Sequence, residues 1–316
     1  MALGSARSIE ELHPDVVALA LRRLDGAALA AASCASARLR ELASDPALWR
    51  DLCLATWPSL RHPGLLSAAA AASPRRLFSD ASPFPVPKPS SPPLLLGPAP
   101  PPPRELISAV DLYRGGAPLL SRVVATDASS PWFLGSPFRI DALDRKSPPP
   151  PPAAAAACPA AELELSWILI DPARGRAVNL SSRRPVAVGR HWYTGETLIR
   201  YATVAGEFLI EATVTLGEET GHVREVSLRV GDADGAAVCG GDSLVILRGL
   251  MEGERRRRRS GGGEEEEEAK RRYDEFVKRK RNRKAAEARK ELLLDFCCSA
   301  VGAAVFLAIV LTALLR

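Results

Sequence analysis

The chain of 316 residues lacks the motifs that mark a catalytic or metal-binding protein. Its six cysteines form no Cys-x-x-Cys pair and have no histidine at ligand spacing, which disfavours a zinc site and a disulfide framework. It has no nucleophile elbow, and the glycine run at 261–263 is followed by glutamates instead of the lysine and serine of a phosphate-binding loop. We therefore predict a protein that is not an enzyme, with no metal site and no cofactor.

Aromatic residues are also scarce, at 5% of the chain, and alanine inflates the 47% hydrophobic content, so the composition overstates the core. His191 and His222 are isolated, and a structural or surface role is favoured over acid–base work for both. Trp132, Trp167 and Trp192 could line a ligand groove, but we expect them to pack in a sheet core.

A secretory signal is missing from the N-terminus, where Glu10 and Glu11 interrupt any apolar run. Together with the cysteine usage, this predicts a body in a reducing environment on the cytosolic side. The formal charge of +5 is uneven, because residues 270–290 hold eleven Lys or Arg against three acidic residues. The rest of the chain is slightly negative, so no nucleic acid partner is expected, whereas the basic segment favours contact with an anionic surface.

Residues 8–55 have the pattern of several short helices. Pro14 and Asp15 suit a first helical turn, Asp25-Gly26 breaks that helix, and Asp45-Pro46 begins the last one. Apolar residues recur at helical spacing in the successive segments: Val17, Leu21 and Leu24; Leu29, Ala32 and Ala35; Leu39 and Leu42; Leu48, Trp49 and Leu52. A unit of about fifty residues buries little apolar surface, so it is predicted to dock on a partner.

Residues 104–250 change to a strand-like period. Strands are predicted at Glu105–Tyr113, Pro118–Val124, Pro137–Leu143, Leu163–Ile170, Thr197–Val204, Glu207–Leu216, His222–Val230 and Ser243–Arg248. Close turns and the lack of crossover helices favour an antiparallel sandwich or barrel. Imperfect alternation after Val223 predicts a bulge near Arg224.

Low-complexity tracts separate these units. Residues 56–103 are rich in proline and are predicted to be a largely disordered linker, and the proline and alanine run at 146–160 is predicted to be a disordered insertion in the β-rich domain. Residues 251–295 are charged, with acidic residues four positions before basic ones, which predicts a solvated helical stem.

Residues 296–315 contain no charge, and twenty residues span roughly 30 Å as a helix. The sequence therefore predicts a transmembrane helix, with the N-terminal body facing the cytosol. A basic cluster before it is predicted to contact lipid headgroups, with nuclear import, and so the nucleus, as the alternative: Lys278, Arg279, Lys280, Arg281, Arg283 and Lys284. Cys297 and Cys298 are candidate palmitoylation sites, and buried inert thiols are the alternative.

The N-terminal segment resembles an F-box, the module that attaches a substrate receptor to the Skp-type adaptor of a cullin ubiquitin ligase. His13 stands where the family usually has proline, and Leu39 where many members have an aromatic residue. The blocks SSPWFLGSPFRID, ELSWILIDP, HVREVSLRV and DSLVILRGLMEG resemble plant F-box proteins of the cytokinin-induced type, which lack kelch or leucine-rich repeats and end in a predicted membrane segment.

The resemblance implies an α+β protein made of a helical F-box, an antiparallel β-sandwich-like domain, a charged helix and one transmembrane helix. Its adaptor-binding residues would be Leu12, Pro14, Asp15, Val17, Leu21, Leu24, Leu29, Leu42 and Trp49. The implied function is a membrane-anchored, non-catalytic substrate receptor, whose partners are the adaptor, through it a cullin, an unknown protein substrate and membrane lipids. The alternative is a membrane-anchored adaptor or ligand-binding protein outside any ligase.

Overall fold

The computed structural model describes residues 12–63, 65, 73–82, 103–146, 160–218, 221–253 and 262–315. Its N-terminal helices are α1 Pro14–Leu21, α2 Gly26–Ala35, α3 Ala37–Ala43, α4 Pro46–Thr56, a 3-10 turn at Pro58–Arg61 and α5 Pro74–Ala81. Asp25, Ser36 and Asp45 cap α2, α3 and α4, because each side chain accepts a hydrogen bond from a backbone N–H of the first turn. The helix start predicted at Asp45-Pro46 is confirmed, and the break predicted at Asp25-Gly26 separates α1 from α2, with Gly26 as the first residue of α2.

Most of the proline-rich tracts, at 83–102 and 147–159, lies outside the described residues. The described part of the segment 56–103 includes the 3-10 turn and α5, and both pack on their neighbours as described below. We refer to the described residues from 12 to 82 as the helical unit.

Nine strands form two antiparallel sheets in the described part of the chain. They are β1 Glu105–Arg114, β2 Ala117–Asp127, β3 Arg139–Leu143, β4 Leu163–Asp171, β5 Arg176–Asn179, β6 Ala187–Arg190, β7 Thr197–Ala205, β8 Phe208–Leu216 and β9 Val223–Gly231. The strand orders are β2-β1-β4-β5 and β3-β9-β8-β7-β6, and α6 Pro131–Gly135 precedes β3. Thr215 pairs with Glu225 and Leu216 with Val223, so Arg224 is an extra residue and the predicted bulge is confirmed.

The four-stranded sheet is buried on both faces. Leu106, Val110 and Leu112 of β1 belong to a core shared with the five-stranded sheet, whereas Ile107 and Ala109 belong to a second core. This alternation follows from the two-residue period of a strand, because each face of the sheet packs against a different neighbour. The near-continuous apolar sequence of β1 follows from that double burial.

The helical unit covers the outer face of the four-stranded sheet. The second core combines residues of the helices and of the sheet: Val17, Leu21, Leu29, Leu48, Trp49, Trp57, Leu77 and Phe78 with Ile107, Ala109, Ile168, Ile170 and Ala177. Phe78 lies between the rings of Trp49 and Trp57, at centroid distances of 5.6 and 5.3 Å. The helices and the sheet therefore share one continuous core.

The strand predicted at Ser243–Arg248 is wrong, because these residues lie in the helix α7, Gly240–Glu252. The side chain of Cys239 caps this helix by accepting a hydrogen bond from the backbone N–H of Asp242. Buried residues recur at three- and four-residue spacing along it: Leu244, Leu247, Leu250 and Met251. The short apolar run fits either period, and packing against the sandwich core selects the helix.

The last helix, α8, runs from Gly262 to Leu314. Its residues Tyr273 and Phe276 are buried, and Tyr273 packs with Val186 and Ala202 on the outer face of the five-stranded sheet. None of the helices formed by the described residues combines the length and apolar character needed to cross a membrane. The predicted transmembrane helix at 296–315 and the predicted single-pass localisation are therefore wrong, because these residues end a helix whose earlier turns are dominated by charge.

Candidate docking surface of the helical unit

The first helix has two apolar faces. Val17 and Leu21 point into the core of the helical unit and are buried. Val16 and Leu19 lie three residues apart on another face of α1 and are 53 and 60% exposed, and Leu12, which is 37% exposed, lies two residues before the first residue of the helix. Apolar side chains grouped on one exposed helix face mark a candidate protein-binding surface. We call Leu12, Val16 and Leu19 the α1 stripe.

The predicted adaptor-binding residues divide into two groups. Val17, Leu21, Leu29 and Trp49 are buried inside the helical unit, so they hold α1 in place. The indole N–H of Trp49 donates a 2.7 Å hydrogen bond to the carbonyl oxygen of Ala43, which fixes α4 against α3.

The remaining predicted residues lie at the surface. Leu12, Pro14 and Asp15 are exposed at the start of α1, and Leu24 and Leu42 are half-buried. His13 caps α1 by accepting a hydrogen bond from the N–H of Asp15 at 3.4 Å. The imidazole thus supports a helix start at the position where the family usually has proline.

The α1 stripe contains two residues that the predicted set omits, Val16 and Leu19. The sequence carries a signal for them, because α1 is apolar on more sides than a single buried face requires. Assigning the apolar residues of α1 to two faces at helical spacing places Val17 and Leu21 on one face and Val16 and Leu19 on the other.

A buried carboxylate ties the helical unit to the sheet. Asp111 of β1 has no exposed surface, and its Oδ1 and Oδ2 accept hydrogen bonds of 2.9 and 2.6 Å from the N–H and hydroxyl of Ser59. Burial raises the pKa of Asp111, and hydrogen bonds from Ser121 and Ser59 oppose that shift. The Tyr113 hydroxyl donates a 2.5 Å hydrogen bond to the carbonyl oxygen of Thr56 nearby.

A second set of hydrogen bonds joins α5 to β5, an edge strand of the same sheet. Asp80 accepts hydrogen bonds from Arg176 Nε at 3.0 Å and from the Ala177 N–H at 3.2 Å. Arg176 also donates to the carbonyl oxygen of Met251 at the end of α7. One guanidinium therefore connects α5, β5 and α7, so the orientation of the helical unit on the sheet is fixed at two points.

The described residues hold no group of three or more His, Cys, Asp or Glu side chains arranged to bind a metal ion. Burial raises the pKa of the Cys53 thiol to about 12, so this cysteine stays protonated and packs as an apolar side chain.

The predicted basic cluster lies on α8. Arg279 and Arg283 form ion pairs with Glu207 in the turn between β7 and β8, while Lys278, Arg281 and Lys284 are exposed and Lys280 is half-buried. Cys297 and Cys298 are exposed on the same helix. Contact of the cluster with lipid headgroups and palmitoylation of these two cysteines stay untested predictions.

Residues 11–55 match the family model described as F-box-like. A probable F-box protein of Arabidopsis thaliana is 43% identical over 256 residues, which cover 78% of this chain and 76% of that relative. Two other F-box proteins of the same plant are 38% identical over 276 residues and 36% identical over 279 residues, covering 78% of this chain and 80% and 75% of the relatives.

No solved structure matches the chain. The similarity to the Arabidopsis proteins covers far more than the helices of the F-box, so it includes much of the β-rich part. The names of these relatives do not distinguish the cytokinin-induced type, which stays a prediction. The chain belongs to the plant F-box proteins.

Proposed function

We propose that the chain is the substrate receptor of a Skp–cullin–F-box ubiquitin ligase and that the α1 stripe docks on the Skp-type adaptor. The observation that carries the proposal is an F-box-like helical unit with Leu12, Val16 and Leu19 exposed together. Fully burying an exposed aliphatic side chain contributes about 1.5–3 kcal/mol, and because these three are 37–60% exposed, each would contribute about half of that. Pro14, Asp15, Leu24 and Leu42 would border that contact.

The receptor contributes position rather than chemistry to ubiquitin transfer. Holding a target near the conjugating enzyme raises the effective concentration of the target lysine. A rigid receptor does this best, because a loosely joined substrate domain would spread the target over many orientations. The hydrogen bonds from Ser59 to Asp111 and from Arg176 to Asp80 support such rigidity.

Charge placed on the α1 stripe tests the proposal. We expect Val16→Asp/Leu19→Asp to reduce adaptor binding at least tenfold, because a carboxylate cannot enter an apolar interface without losing its hydration. The free energy of unfolding should change little, since both side chains are exposed. Affinity for the purified adaptor is measured by isothermal titration calorimetry and stability by urea denaturation.

Ala27→Asp is the matched control, because it adds a carboxylate at an exposed position of α2. This variant should bind the adaptor like the native chain. Full binding by the α1 variant would contradict the assignment of the α1 stripe. Failure of the native chain to bind any Skp-type adaptor would contradict the ligase function and favour a binding protein outside the ligase.

A further inference from the structure

The lysines of this chain are concentrated on its last helix. The sequence has 35 arginines but only seven lysines, and five of the seven lie on α8, at positions 270, 278, 280, 284 and 290. The other two are Lys88 and Lys146, so residues 1–87, which include the F-box, contain no lysine. The ratio of lysine to arginine is therefore 5 to 6 within α8 and 2 to 29 in the rest of the chain.

Neither helix formation nor charge explains this contrast. Arginine and lysine have similar helix propensities and carry the same charge, so arginine could stand at every basic position of α8. The two side chains differ in their chemistry, because lysine ends in a primary amine that accepts acyl groups and ubiquitin, whereas arginine ends in a guanidinium that stays charged. A helix that keeps lysine, in a chain that otherwise uses arginine, therefore indicates a role for the amine.

The arginines of α8 help to hold the helix on the body of the protein, whereas its exposed lysines do not. Arg279 and Arg283 form ion pairs with Glu207. Lys280 is half-buried, and its Nζ lies against Gly235. The other four lysines are exposed and form no ion pair with the residues that the structure describes: Lys270, Lys278, Lys284 and Lys290. Four amines on α8 are therefore accessible to a reaction that leaves the docking of the helix intact.

The exposed lysines are spread along α8 on the side of the molecule away from the F-box. Lys270 and Lys290 are twenty residues apart, which is roughly 30 Å along a helix. Lys284 and Lys290 lie beyond the ion pair of Arg283, in a stretch where residues 284–303 are all exposed. Because α8 packs on the five-stranded sheet and the helical unit on the four-stranded sheet, an adaptor bound to the α1 stripe leaves these amines uncovered.

We propose that α8 is the segment on which the receptor itself receives ubiquitin, with Lys270, Lys278, Lys284 and Lys290 as the acceptors. The neutral amine attacks the thioester that joins the C-terminus of ubiquitin to the conjugating enzyme. An isopeptide bond forms, the C–S bond breaks, and the amine proton leaves with the cysteine thiol. The proposal rests on the proposed ligase function, which supplies the charged conjugating enzyme.

This assignment gives α8 a regulatory role. A ligase without a bound target still holds the α8 amines near the conjugating enzyme, so they receive the ubiquitin that a target lysine would otherwise take. A bound target competes with them for the same thioester. The amount of receptor would therefore fall when targets are scarce.

Reconstituted ubiquitin transfer tests the proposal. The full-length chain is combined with the purified adaptor and the remaining ligase subunits, the activating and conjugating enzymes, ATP and a ubiquitin without lysines, so that each addition counted by gel electrophoresis marks one acceptor. Lys270→Arg/Lys278→Arg/Lys284→Arg/Lys290→Arg keeps the charge and helix propensity of α8, and it should lower the rate of attachment at least about fivefold. If all seven lysines were equivalent acceptors, the rate would fall only about twofold.

Lys88→Arg/Lys146→Arg is the matched control, because it removes the two lysines outside α8, and its rate of attachment should stay native. Both variants should bind the adaptor like the native chain, since none of these lysines belongs to the helical unit. Attachment that persists in the α8 variant, or that is lost in the control, would overturn the proposal. A native chain that binds the adaptor but receives no ubiquitin would also overturn it, whereas a native chain that does not bind the adaptor would contradict the ligase function and this proposal with it.

Discussion

Asp111 is a charged residue in a position that solvent does not reach, where it joins two parts of the chain separated by 52 residues. Its carboxylate satisfies both the N–H and the hydroxyl of Ser59, which are buried with it. Truncation of the side chain at this position would remove the acceptor that both groups use. Losing the contact would therefore destabilise the fold mainly because the buried Ser59 N–H and hydroxyl would lose their acceptor.

Asp111→Ala should lower the free energy of unfolding by about 1–3 kcal/mol relative to Asp111→Asn, because alanine leaves the Ser59 N–H buried without an acceptor. Asparagine keeps a carbonyl oxygen for that N–H, and the Ser59 hydroxyl can turn to accept from the amide. Urea denaturation at neutral pH measures the difference. Equal stability of the two variants would show that the Ser59 N–H does not need an acceptor at position 111.

The raised pKa of Asp111 predicts a pH dependence of known sign. The folded chain holds the Asp111 proton more tightly than the unfolded chain, so this group contributes its full stability below the ordinary aspartate pKa of about 3.9 and loses it as pH rises through the folded pKa. The native chain should therefore lose stability relative to Asp111→Asn as pH increases above about 4. The prediction would be contradicted if the stability of the native chain relative to Asp111→Asn stayed constant or increased as pH rises.

At the scale of elements, α2 and α5 meet at an unusually close contact. A methyl group on Gly26, the first residue of α2, would lie 2.0 Å from Cε1 of Phe78. Phe78 cannot move aside freely, because Trp49 and Trp57 pack on it. Glycine at this position lets α5 approach the first helices closely enough to complete their core.

Gly26→Ala should therefore lower the free energy of unfolding by about 1–3 kcal/mol, the usual cost of overfilling a packed core. Gly249→Ala is the matched control, because Gly249 lies in α7 and an added methyl would meet nothing within 4 Å. That control should stabilise the chain by up to about 1 kcal/mol through helix propensity. Thermal denaturation of both variants measures these changes. An unchanged free energy of unfolding for Gly26→Ala would contradict the packing described here.

The elements that local chemistry determines could be predicted from the sequence. The starts of α2 and α4 follow from Asp25 and Asp45, and seven strands were predictable from a two-residue period. The short strands β5 and β6 were missed, because four residues carry too little pattern. The helix α7 was mistaken for a strand because only its packing on the sandwich resolves the ambiguity.

The candidate site was partly predictable for a similar reason. Sequence resemblance marks the helical unit, but it does not separate side chains that hold α1 from those that face outward, since both are apolar. Trp167 is in the sheet core as expected, whereas Trp132 and Trp192 are exposed and their expected core packing is wrong. Large aromatic residues carry no local signal that distinguishes a core position from an interface.

At the scale of the whole molecule, the shared core makes the F-box and the four-stranded sheet one structural body. Side chains of α1 to α5 and side chains of β1, β4 and β5 belong to the same buried cluster. The other face of that sheet packs on the five-stranded sheet, so the layers follow each other from helices to sheet to sheet to α8. Loss of any inner layer exposes apolar surface on its neighbours.

This arrangement predicts a single unfolding transition. In a Trp132→Phe/Trp167→Phe/Trp192→Phe variant, fluorescence reports on Trp49 and Trp57 in the F-box, and circular dichroism reports on all elements together. The two signals should give the same urea midpoint, because the F-box cannot unfold without uncovering the sheet. An F-box transition at clearly lower urea would show that the two parts fold independently.

The Ser59 to Asp111 contact has a consequence for exchanging F-boxes between proteins. A graft that replaced the whole helical unit by only the four F-box helices of another protein would discard the 3-10 turn and α5, and would leave Ile107 and Ile168 open to water beside Asp111 without its serine. Uncovered apolar sheet faces promote self-association. A functional chimera must therefore carry residues 12–82 together with the sheet face that receives them, so the recombining unit of this receptor is larger than its F-box.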